Sequence, residues 1–152
     1  MNAKRTLAEG DYFDVVIPMR WADADMQQHM NNAVYFRFME EGRILMLAAA
    51  DASSTAQEGV VVAHCACDFL REITYPATLR VRHIVDRLGR SSLTHRVEMC
   101  VLDDLESGPY AVGRSVMVRV NRATAKSAPW PEEILAKLAA ISQPGATAVQ
   151  DR

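Results

Sequence analysis

From Phe13 to Trp21 the chain reads FDVVIPMRW, an apolar run of strand character whose Pro18 points to an edge or a bulge, because proline donates nothing to a ladder. A polar, acidic stretch from Ala22 to His29 interrupts the pattern. NNAVYFRFMEEGRILMLAAAD then runs without proline, and Val34, Phe38, Ile44, Leu45 and Ala48 recur at near-helical spacing. This predicts one long helix, capped by Asn31 and closed by Asp51, Ser53 and Ser54. Four runs of strand character follow: GVVVAHCACDFL, TLRVRHIVDRL, SLTHRVEMCVLDD and YAVGRSVMVRVN. Pro76, Gly89-Arg90-Ser91 and Glu106-Ser107-Gly108-Pro109 separate them, as in an antiparallel meander. PWPEEILAKLAAI predicts a short C-terminal helix from near Pro131, with a frayed tail from about Ser142.

The order is thus strand, long helix, four strands, short helix. An α+β fold accounts for it, a five-stranded antiparallel sheet wrapped around one central helix, because a sheet with one apolar face must be covered and only one helix is long enough to cover it. With 152 residues, 49% of them apolar, the chain is expected to form a single domain over 1–152, its core at about 12–138.

Charge narrows the function. Seventeen basic residues against nineteen acidic ones give a net charge of −2, no field that would gather nucleic acid or an anionic membrane. No apolar h-region follows the first charged residues and no run approaches membrane-spanning length, so a soluble, cytoplasmic protein without membrane insertion is expected. Three cysteines, with Cys65 and Cys67 one residue apart, make neither a disulfide framework nor a zinc pattern and are read as small apolar fillers.

The unusual stretch is Trp21 to Asn32, WADADMQQHMNN, directly before the long helix. The first N–H groups of a helix lack intrahelical partners and carry the positive end of its dipole, so a developing oxyanion can be held there without a cationic side chain. A carboxylate just upstream, Asp25, would stand beside a carbonyl so held. The same residues also suit plain turn formation by Asp23 and Asp25 and capping by Asn31.

The run from Asp23 to Arg43, DADMQQHMNNAVYFRFMEEGR, resembles the signature of the hotdog acyl-CoA thioesterases of the 4-hydroxybenzoyl-CoA thioesterase type, D-x-D-x-x-G-H-V-N-N-x-x-Y followed by E-E-A-R. FLREITYP, LGRSS and PWPEEI resemble later segments of that family, and the likeness covers roughly residues 12 to 138. It implies a hotdog fold and hydrolysis of acyl thioesters. By position, Asp25 matches the catalytic aspartate, the Asn32 backbone N–H the oxyanion donor, and Asp23 an accompanying acid. Gln28 replaces the family glycine, and since glutamine resists positive φ a different turn is expected there. The segment is also similar to D-x-D-x-N-Q-H-V-N-N of plant-type acyl-carrier-protein thioesterases, in which the counterparts of Asp25, Gln27 and His29 belong to the active site, although Gln27 stands where they have asparagine.

Candidate catalytic residues are therefore Asp25, the Asn32 N–H and His29, the last to orient Asp25 or water. Gln27, Gln28, Asn31 and Tyr35 are candidates for substrate binding near the loop, with Met39, His64, Arg90 and Ser91 further along the chain. Glu40 and Glu41 suit ion pairs with Arg37 or Arg43. Arg71, Arg82, Arg87, Arg90 and Arg122 are available to nucleotide phosphates. A thiolate leaving group, of thiol pKa about 8.5, needs little general-acid help, so one carboxylate and one oxyanion donor suffice. Met19, Met26, Met30, Met39 and Met46 gather about the loop and helix and favour an apolar acyl chain. No Gly-x-Ser-x-Gly elbow, phosphate loop or His-Glu-x-x-His motif is present. No metal or bound cofactor is implied; coenzyme A or acyl carrier protein would arrive with the substrate. A hotdog dehydratase or hydratase, or a non-catalytic acyl-binding module, are the competing classes. An edge strand left open predicts a homodimer or a dimer of dimers.

Overall fold

The computed structural model describes residues 4–145. Its elements are β1 (Tyr12–Pro18), α1 (Asn32–Ala49), β2 (Glu58–Phe69), β3 (Thr78–Leu88), β4 (Ser92–Val101), β5 (Ala111–Asn121), a two-residue β6 (Lys126–Ser127) and α2 (Glu132–Ile141), with 3₁₀ turns at Trp21–Asp23 and Leu102–Ser107. All strand pairs are antiparallel, in the order β1-β3-β4-β5-β2, with β6 added to β5. The expected meander is therefore confined to β3, β4 and β5. β2 pairs with β5 at the far edge, and the chain crosses the sheet to begin β3. Turn residues mark where a strand ends and say nothing about which neighbour it takes. Pro18 closes β1, an edge strand, where the missing donor costs nothing.

α1 begins where the Asn31 side chain accepts the Ala33 N–H at 2.9 Å. Its buried positions, Tyr35, Phe38, Met39, Gly42, Arg43, Met46 and Leu47, follow the 3.6-residue period and face the sheet. Strand alternation supplies the opposing surface. Val81, Met99 and Ala111 form one inner row, and His83, Val97 and Gly113 the next. Gly113 admits Met39, since a Cβ there would stand 2.6 Å from the Met39 methyl carbon. The third row is polar: His95 opposes Ser115, which opposes Cys65, and Arg43 reaches over them from the helix. His83 and His95 meet edge to face at 5.6 Å between ring centroids. This curled sheet with one long helix against it is the hotdog arrangement.

Toward the other end Leu7, Met46, Leu47, Leu93, Met117 and Trp130 form a second cluster that α2 closes with Leu138 and Ala139. The tail expected to fray is pinned at its start, where Gln143 and Tyr12 exchange two backbone hydrogen bonds of 2.8 and 2.9 Å; positions from 146 onward lie outside the described residues. From Val61 to Ala66 β2 is exposed at every position although the run is mostly apolar.

Candidate active site

The loop before α1 is a closed structure. Ala24 and Met30 pair across it, the Asp25 N–H donates to His29 O at 3.0 Å, and the Gln28 N–H donates to Asp25 O at 3.0 Å. Asp25 Oδ1 accepts the Gln27 N–H at 2.8 Å, an Asx turn that leaves its other oxygen facing solvent. Gln28 adopts φ +65°, so the turn keeps the left-handed residue that glycine would supply, contrary to the expected change. The loop is clamped to the β2–β3 linker: the Met30 N–H donates to Ile73 O at 2.7 Å, and His29 bridges to Thr74.

The two aspartates have different surroundings. Asp23 is buried, accepts the Arg20 N–H at 2.8 Å, and binds Arg37 Nη2 at 2.7 Å. Arg37 reaches Glu41 more loosely, at 3.9 Å. Asp25 is exposed and lines an open hollow of about 540 Å³ with Trp21, Met26, Gln27, Gln28, His29, Thr74 and Tyr75. A second hollow, of about 380 Å³, is lined by His29, Asn32, Tyr35, Phe69, Arg71 and Glu72. Around the helix start the N–H groups of Asn31, Ala33 and Val34 are accepted by Asp23 O, Asn31 Oδ1 and Asn31 O. That of Asn32 meets no acceptor among the described residues.

The other candidates are placed as follows. His29 sets Nε2 3.0 Å from Glu72 Oε2 and lines the first hollow together with Asp25. Asn31 is occupied as the helix cap. Tyr35 is buried edge-on to Phe69, and burial, with Cys67 nearby, raises its phenol above the usual range. Met39 is fully buried in the core and lines neither hollow. Met19 and Met46 are likewise core, so of the five methionines two reach the site: Met26, 99% exposed, in the first hollow, and the buried Met30 in the wall of the second. His64 lies exposed on β2, just past a register shift at Val62. Arg90 and Ser91 sit in the β3–β4 turn, packed by backbone bonds to Trp130 and Arg119. β3, eleven residues long, separates them from the linker by roughly 35 Å, so within one protomer they do not meet Asp25. Arg82 is committed to Asp14 by two hydrogen bonds, at 2.7 and 2.8 Å. Sequence reasoning missed Trp21, Glu72, Thr74 and Tyr75. Glu72, Thr74 and Tyr75 had their signal in the FLREITYP segment, noted for its family likeness and not as a wall of the site, and Trp21 in the WADADMQQHMNN stretch itself.

A model of the thioesterase-like superfamily matches residues 19–138. The chain belongs to that superfamily. This member is 34% identical to the PA2801 protein of Pseudomonas aeruginosa, a solved structure that superposes with a TM-score of 0.75 over 80% of this chain and 94% of that one. A predicted thioesterase from Bacillus stearothermophilus is 25% identical, with a TM-score of 0.73 over 89% of this chain and 99% of that one. The YsmA protein of Bacillus subtilis is 33% identical over 118 residues, 77% of this chain and 78% of its own. Thioester hydrolysis is the activity that this membership supports. No helix among the described residues of this superfamily member is long and apolar enough to cross a membrane, and no cluster of three or more metal-ligating side chains is found among them.

Proposed function

We propose that this thioesterase-superfamily protein hydrolyses acyl thioesters of coenzyme A or acyl carrier protein, with Asp25 as base or nucleophile and the Asn32 N–H as oxyanion donor. The observation that carries the reading is an exposed carboxylate in the loop that leads directly into a long helix whose first N–H is unclaimed. A thioester carbonyl oxygen pointed at Asn32 gains from that N–H and from the helix dipole as its charge grows. Asp25 then takes a proton from the attacking water, or attacks the carbonyl carbon itself to give a mixed anhydride that water opens. Either course breaks the C–S bond and releases acid and thiol. No cofactor is required, because the carrier belongs to the substrate.

The wall of Trp21, Met26 and Tyr75 offers apolar surface and no cationic side chain, which supports an apolar acyl group. A homodimer completes the site in this reading. β2 runs from Val61, which pairs through Val118 to Ser92 beside the Arg90 turn, to Phe69 beside Tyr35. Two β2 strands paired antiparallel would carry Arg90 and Ser91 of one copy toward the second hollow of the other, where they would meet the carrier's phosphates.

The test is thiol release from acyl-CoAs of graded chain length, with an acyl-ACP panel beside it. The wild-type chain should turn over an apolar series and Asn32→Pro, folded but lacking its N–H, should not. Binding of every acyl-CoA without thiol release, even with enzyme in excess, would reject hydrolysis.

A further inference from the structure

Three arginines that the fold draws inward bring a carboxylate with them: Arg37 holds Asp23 at 2.7 Å, Arg82 holds Asp14 at 2.7 Å, and Arg119 holds Glu58. Arg43 does not. It is 8% exposed and binds no carboxylate among the described residues; Glu40, exposed on the same helix, acts on it only at a distance. Arg43 lies over the polar row of the inner face, in which His95 of β4 opposes Ser115 of β5 and Ser115 opposes Cys65 of β2. His95 is 1% exposed and Ser115 wholly buried. Arg43 Nη1, His95 Nδ1 and Ser115 Oγ are shut off from solvent, and none of them has a hydrogen-bond partner. Buried polar groups are normally paired, and a guanidinium kept from water without a counter-charge is among the costliest groups to bury.

We propose that Arg43, His95 and Ser115 form a buried site for one small monovalent anion of halide size, chloride in ordinary salt, held between α1 and the sheet. All three atoms can donate at once, the histidine by carrying its proton on Nδ1, and none of them has to accept. The rows on either side are apolar, Val97 with the Met39-filled Gly113 on one side and Leu93 with Met117 on the other. One positive charge in such a frame matches one negative charge, whereas sulfate or phosphate would bring an excess charge into the core. The row ends at Cys65 on the exposed β2 edge, which gives the ion its way in. None of the three residues lines either hollow, so the site is independent of the Asp25 loop and of the reaction run there. The ion has a signature on its neighbours. His95 faces Arg43 of α1, with Glu40 beyond it, and His83 of β3, while Cys65 of β2 ends the row. An anion among these groups favours the imidazolium and moves the His95 titration upward.

The experiment compares sodium bromide with sodium gluconate, an anion too large for the site, at equal ionic strength and with the full-length chain. Bromide should raise Tm saturably, by about 3–6 °C once it stands tenfold above its Kd. Ser115→Ala removes one donor and leaves the charge, and should weaken the apparent Kd about tenfold. Arg43→Met removes the charge at similar length and should abolish the bromide gain. The His95 ring signal, followed by NMR against pH, should titrate higher in bromide than in gluconate. Crystals grown in bromide should show an anomalous peak within hydrogen-bond reach of Arg43 Nη1, His95 Nδ1 and Ser115 Oγ. If Arg43→Met does not fold, Ser115→Ala and the wild-type crystal decide. Equal melting in the two salts, a bromide gain unchanged in Ser115→Ala, or density without anomalous signal between the three atoms, which is a water, would overturn the proposal.

Discussion

Gln28 holds a left-handed conformation that costs a residue with a Cβ about 1–2 kcal/mol. The three hydrogen bonds that fasten Asp25, Gln27, Gln28 and His29 to one another keep it there. Gln28→Gly should therefore stabilise the chain, by about 0.5–1 kcal/mol once glycine's greater unfolded freedom is set against the relief; the urea midpoint reads this, and an unchanged or lower midpoint would mean the turn is unstrained. Asp23 and Asp25, two residues apart, are indistinguishable as turn formers in the sequence. Burial and the Arg37 contact separate them, and both depend on residue 37 returning past residue 23 one turn into α1, which no local pattern announces. Asp25→Asn should lower kcat about a hundredfold with little change in Tm. Asp23→Asn should do the reverse in kind, costing about 1–3 kcal/mol of stability because the half-buried Arg37 loses its anionic partner. Equal effects on both quantities from both variants would remove the assignment.

Among the elements, the inner face of β3 and β4 carries a titratable pair from neighbouring rows, His83 and His95. Burial, with Arg43 nearby, lowers His95 to about 4, and burial with His95 and Arg43 sets His83 well below the usual imidazole range. In the unfolded chain both imidazoles regain ordinary values near 6.5 and bind protons that the folded chain refuses. Stability should be intact above about pH 6.5 and fall as the pH drops toward 4, by on the order of 3 kcal/mol for His95 alone. Urea unfolding at pH 7 and pH 5 checks this, and His95→Gln should flatten the difference. The strands were legible in their alternation, yet alternation does not say which set faces inward. In TLRVRHIVDRL the inner set is Leu79, Val81, His83 and Val85, while Ile84 lies on the outer face opposite Arg96. Hydropathy at a single position favours the wrong residue there, and the neighbouring rows decide it. The helix was legible as a long proline-free apolar stretch, but its inner face was not, since of Val34, Phe38, Ile44, Leu45 and Ala48 only Phe38 is buried; nor was the crossover from β2 to β3, because edge or centre is a property of the assembled sheet.

For the molecule as a whole, the telling feature is β2, with Val61 and Val62 nearly half exposed and Phe36 and Ile44 of α1 open on the neighbouring helix. Its run GVVVAHCAC lacks the polar alternation of a strand with one wet face, which is how a strand covered on both sides reads. Light scattering should return about twice 16.9 kDa or a multiple of that, and Val61→Lys should shift the chain toward monomer with loss of activity. An active monomer would reject the shared site. The Asp25 loop and helix start were readable from one short segment, whereas Arg90 and Ser91 were placed in the site by family likeness alone and lie a strand's length away in one protomer. If the open edge of β2 is where two chains exchange these residues, the two halves of a site are inherited separately. Asp25→Asn protein and Arg90→Ala protein, each nearly inert, should complement when unfolded and refolded together. Random pairing makes half the dimers mixed, and each mixed dimer holds one intact site, so about a quarter of the wild-type activity should return from two defective parents.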